Sequence, residues 1–112
     1  MIFGIPDPVP TDDFARAIAR WSIREVIYGN NNVPRRHLVC FILQGSLGRT
    51  SSDIQSFNKK KMVIETRSGR LHKLHGRPGD HPDSEHVWRR WKDFNHVQDE
   101  KNVTLEYWDG EA

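Results

Sequence analysis

Cysteine is almost absent. Cys40 is the only one, so no disulfide can close within the chain and stability has to come from packing. No apolar run approaches the ~20 residues of a membrane-spanning helix, and Met1-Ile2-Phe3-Gly4-Ile5 lacks the basic segment and long apolar stretch of a secretory leader. The chain therefore reads as cytoplasmic with no membrane partner, and Asn102-Val103-Thr104 as a glycosylation sequon matched by chance. A second cysteine, a paired-histidine helix motif, a helix-turn-helix, a zinc finger and an aromatic RNA-binding motif are all missing from the sequence pattern. No cofactor or metal is expected. The 112 residues leave room for one domain, 1–112, with an extended proline-rich arm over 1–10 and an acidic tail over 109–112.

What is abundant is charge, and it is unevenly placed. The net of +2 divides into −3 over Met1–Asp13, +10 over Phe14–Arg77 and −5 over Asp80–Ala112. The densest stretch runs from Lys59 to Arg77, where Lys59, Lys60, Lys61, Arg67, Arg70, Lys73 and Arg77 face only Glu65, a local +6. One-signed segments attract polyanions and steer their approach, so this pattern speaks about partners and not about a reaction.

The fold class expected is α+β: an N-terminal helix, an antiparallel β-meander of about four strands, a second helix and a C-terminal strand. Thr11 is placed to cap the first helix, Asp12 and Asp13 suit its first turn, and Phe14, Ala17, Ile18, Trp21, Val26 and Ile27 recur at helical spacing up to Gly29. Arg16, Arg20 and Arg24 then form a basic stripe on its side. His37–Leu43 is an unbroken apolar run that reads as a central strand, with Cys40 as a small core residue.

Ser52–Phe57, Met62–Arg67 and Arg70–His75 read as a meander, with turns at Asn58-Lys59-Lys60 and Ser68-Gly69. A two-residue turn at Ser68-Gly69 opposes Arg67 to Arg70 and Glu65 to His72. It packs Met62, Ile64 and Leu71, and leaves both arginines, Glu65 and His72 wet. A three-residue loop with a bulge at Gly69 would shift this register and undo the face assignment. Asp80–Phe94 reads as the second helix, burying Val87, Trp88, Trp91 and Phe94 and pairing Glu85 with Arg89 and Arg89 with Asp93. Val103, Leu105 and Tyr107 alternate in the closing strand, turning Trp108 outward.

Thr50-Ser51, then Thr66-Arg67-Ser68-Gly69, then Leu74-x-Gly76-x-Pro78-Gly79 resembles a pattern in small uncharacterised bacterial proteins borne on plasmids or phages. The resemblance covers about a third of the chain and carries over no catalytic or binding residue. It implies a bacterial, mobile-element origin, a setting in which small proteins act on nucleic acids or on other proteins.

The expected function is that of a binding protein. Arg35, Arg36, Lys59, Lys60, Lys61, Arg67, Arg70, Lys73 and Arg77 are its anion-binding residues, and nucleic acid or a nucleic-acid-binding protein is its partner. Trp108 is the candidate partner contact, a homodimer interface included. One alternative is an inhibitor or regulatory, anti-defence factor whose acidic tail imitates nucleic acid. Another is a ribonuclease in which His72 beside Glu65 shuttles protons. His72, His75, His81 and His86 fall close together, but on a strand His72 and His75 point to opposite faces and cannot share a metal.

Overall fold

In the computed structural model, residues 18–29, 32–42 and 47–110 are described. They form β1 (Ile18–Ile27), β2 (Pro34–Ile42), β3 (Leu47–Asn58), β4 (Val63–Thr66), β5 (Leu71–Lys73), α1 (Pro82–Phe94), β6 (Asp99–Asn102) and a single 3-10 turn, Thr104–Glu106. The strands make one six-stranded sheet in the order β5-β4-β3-β2-β1-β6, with every ladder antiparallel.

This corrects the expected two-helix architecture: the described residues hold one helix, and the segment read as the first helix is the strand β1. The physical reason is that β1 is covered on both faces, so its apolar residues do not alternate simply. Trp21 and Ile23 join the cluster on one side of the sheet and Val26 joins the cluster on the other. A bulge between Ala19 and Ser22, with Arg20 at φ +48°, inserts one residue and puts Ile18 and Trp21 on the same side. The resulting three-residue spacing imitates a helix. The expected arginine stripe dissolves with it, for Arg24 is buried while Arg20 is exposed. The proline-rich arm and the Thr11 cap fall outside the described residues.

The expected closing strand is also corrected. The strand that pairs with β1 is the polar β6, upstream of Val103. Asn102 Oδ1 accepts from Thr104 N at 3.0 Å, and Thr104 Oγ1 accepts from Ile23 N at 3.0 Å, so side chains replace the ladder and turn the chain.

The β3 strand is the longest, pairing with β2 through its first half and with β4 through its second, with register irregularities in both ladders. Ile64 and Leu74 join one cluster with Ile18, Trp21, Ile23, Leu38, Cys40, Val103 and Tyr107. On the other face α1 lays Trp88 and Trp91 over Val26, Val39 and Tyr28. Its N-terminus comes very close to β3. A Cβ on Gly48 would lie 2.6 Å from the Asp83 carbonyl oxygen, and Ser84 Oγ donates to the Cys40 carbonyl at 2.9 Å. Phe94, expected in the buried stripe, is 83% exposed. Glu85, expected to pair with Arg89, instead reaches Arg24 at 2.7 Å. None of the helices in the described residues is long and apolar enough to cross a membrane.

Candidate functional site

The β4–β5 turn decides what the basic segment presents. Gly69 sits at φ +87°, its N–H donates to the Thr66 carbonyl at 2.8 Å, and Thr66 N donates to the Arg70 carbonyl at 3.1 Å. The loop is therefore the three residues Arg67-Ser68-Gly69, with the left-handed conformation that glycine adopts at no steric cost. The register becomes Val63↔Lys73, Ile64↔His72 and Glu65↔Leu71, one residue from that of a two-residue turn. Every face assignment for β5 reverses. His72 is buried, Leu71 is half-buried on the outer side, and Arg67 no longer opposes Arg70.

On that outer side Ser56 and Asn58 of β3, Lys61, Val63 and Glu65 of the β4 arm, and Leu71, Lys73 and His75 of the β5 arm line a solvent-facing groove of about 710 Å3. Val63 and Leu71 form its half-buried floor, while Lys61, Glu65 and His75 are exposed. Asn58 Oδ1 accepts from Lys61 N at 3.0 Å, which fixes the lysine turn, and Lys73 Nζ donates to the Lys61 carbonyl. Lys60, Arg70 and Arg77 are exposed.

The other expected anion-binding residues lie elsewhere. Arg35, Arg36 and Arg67 line a separate depression of about 420 Å3 that also contains Glu25 and Asp53. There Arg36 pairs with Glu25 and with Glu106, each at 2.9 Å, and Arg67 pairs with Asp53 at 3.0 Å. Partial burial works against ionisation of Asp53, but the hydrogen bond and charge of Arg67, a backbone hydrogen bond and the charge of His37 together outweigh it and hold the carboxyl below its ordinary value. Arg35 stacks on Tyr28, 4.9 Å from the ring centre. Lys59 pairs with Asp109 at 2.8 Å, so Asp109 is held against the basic turn. Trp108 is corrected from an outward contact: it is half-buried, edge-on to the fully buried Trp21 at 6.1 Å.

The histidines separate. His72 packs near Thr66 Oγ1 at 3.4 Å on the inner side, whereas Glu65 lies on the outer side, so the expected acid–base pair does not assemble. His81 accepts from Asp83 N at 3.1 Å as the cap of α1 and stacks on Phe41 at 3.8 Å. His75 lines the groove, and His86 is exposed on α1. Among the described residues no three metal-capable side chains converge.

Two residues to which the sequence assigned no site organise the opposite face. His37 is 2% exposed, its Nδ1–H donates to the Ser51 carbonyl at 2.9 Å, and Tyr28 OH donates to its Nε2 at 3.1 Å. Trp91 lies 4.5 Å from its ring, and burial pushes its pKa down. Arg24 donates to Ser22 Oγ at 3.1 Å, to Glu100 at 3.0 Å and to Glu85 at 2.7 Å, while Trp88 Nε1 donates to Glu100 at 2.9 Å. This network ties α1 to β1 and β6. A lone histidine beside Leu38-Val39 and an arginine between buried residues were the available signals. Comparison with known protein families, curated proteins and solved structures finds no match, so the site stands on its own residues.

Proposed function

We propose that the protein binds nucleic acid through the outer face of β3–β4–β5. The observation that carries this reading is the groove in which Lys61, Lys73 and His75 stand over an apolar floor of Val63 and Leu71, with the exposed Lys60 in the adjoining turn. Lysines at the edge of a shallow apolar floor give a phosphate backbone electrostatic contact and give sugar or base a surface to rest on. Arg36, Arg67 and Lys59 already hold carboxylates, so their charge goes mainly to holding the fold together. That takes three of the nine expected residues out of the anion-binding set, and among the rest Lys60, Lys61 and Lys73 are those of the groove and its turn. The imitation of nucleic acid by the tail loses support because Asp109 is held by Lys59.

The test is a titration of labelled oligonucleotides at several salt concentrations. With about three phosphates neutralised by Lys60, Lys61 and Lys73, the log–log slope on duplex DNA is expected near −3. Binding that is absent at low ionic strength, or that ignores salt, would overturn the reading.

A further inference from the structure

The groove is chemically divided along its strands. The register sets Asn58, Val63 and Lys73 in one row and Ser56, Glu65 and Leu71 in the next. Lys61, Lys73 and His75 thus occupy the end beside the lysine turn, where Lys73 Nζ meets the Lys61 carbonyl. At the other end the Ser56 hydroxyl donates to Glu65 Oε1 at 3.3 Å. The two rows lie roughly 7 Å apart, two residues of strand. A phosphate is drawn to the first row and repelled by the second.

That one-sidedness separates single strands from duplex. Both grooves of a duplex are walled by phosphates on either side, so base edges at Glu65 would bring a second phosphate row toward its carboxylate. A single strand carries phosphate along one edge and unpaired bases along the other, the polarity the groove has. We infer that this face takes single-stranded nucleic acid, phosphate at Lys61 and Lys73 and base over Leu71, and that Glu65 selects bases bearing an amino group. The inference rests on the nucleic-acid reading above. A carboxylate only accepts hydrogen bonds, so it pairs with the N4 amino group of cytosine. Thymine and uracil present the O4 carbonyl in its place, and acceptor would face acceptor.

The experiment titrates the full chain with labelled oligo(dC), oligo(dT) and a mixed-sequence duplex of equal length at one salt concentration, read by fluorescence anisotropy. Oligo(dC) is expected to bind about tenfold more tightly than oligo(dT), the size of one hydrogen bond to a charged group. Glu65→Gln, whose amide donates as well as accepts, brings that ratio near one, and Lys73→Ala weakens both strands alike. Equal binding of the two strands, or a ratio that survives Glu65→Gln, would overturn the selection by Glu65 while leaving nucleic-acid binding intact. A duplex that binds more tightly than either strand overturns the single-strand assignment. If none of the three binds, the proposed function falls together with this inference.

Discussion

His37 is a residue whose burial has a direct consequence for pH. Desolvation by the strands and by Trp91 disfavours the imidazolium, and protonation would also turn Nε2 from an acceptor of the Tyr28 hydroxyl into a donor. Arg35 opposes the imidazolium, while the Ser51 carbonyl and Asp53 favour it, and burial outweighs them. The folded pKa therefore lies below the value of ~6.5 that the unfolded chain has. Below that value the unfolded state binds a proton that the folded state refuses. Stability is full above about pH 6.5 and falls as pH drops through it, by at most about 1.4 kcal/mol per pH unit for one proton. Melting temperature measured from pH 7.5 to 5.5 is expected to decline in the wild type and to decline less in His37→Gln. Parallel slopes would show that another group titrates.

The elements are held at two glycines of opposite kind. Gly48 is a close approach: its missing side chain lets the N-terminus of α1 touch β3, with the Asp83 carbonyl 2.6 Å from where a Cβ would stand. Backbone atoms cannot swing away, so Gly48→Ala is expected to lever the helix off the sheet, costing about 1–3 kcal/mol and several degrees of melting temperature. An unchanged melting temperature would mean that α1 docks elsewhere. Gly69 is a conformation, and it accounts for how much of this fold was readable beforehand. The strand–turn–strand over Met62–His75 is legible because Ser68-Gly69 punctuates apolar segments, but a two- and a three-residue turn share that punctuation, and only the Thr66 and Arg70 backbone bonds decide between them. One residue of slip moved His72 inside and left Glu65 in the groove. β1 hides its strand character more fully, since burial on both faces and a bulge erase the two-residue period of a strand. The segment around Pro82 was legible as a helix because its cues are local: a first-turn proline with Asp83 and Glu85, and tryptophans three apart. Its buried face was less so, because Ser84 lies against the sheet while Phe94 projects into solvent.

At the scale of the whole molecule, folding redistributes the charge that the sequence segregates. The acidic C-terminal block supplies Glu85 and Glu100 to Arg24, Glu100 to Lys92, Glu106 to Arg36 and Asp109 to Lys59. The exposed Lys59–Asp109 pair contributes only about 0–1 kcal/mol, but the pairs together put several cations against carboxylates, while Lys61 and Lys73 line the groove and Lys60 is exposed in its turn. The candidate site was therefore half legible: the lysines stand in the sequence as a run, whereas the removal of Arg36, Arg67 and Lys59 from the set depends on partners between 11 and 70 residues away. The groove face, and not the arginine depression, is expected to meet the partner. Backbone amide shifts in a two-dimensional NMR titration with an unlabelled single-stranded oligonucleotide test it most directly. Shifts are expected to concentrate at Lys61, Val63, Glu65, Leu71, Lys73 and His75, with Arg35, Arg36 and Arg67 unmoved. Shifts centred on Arg35, Arg36 and Arg67 with a silent groove would contradict it.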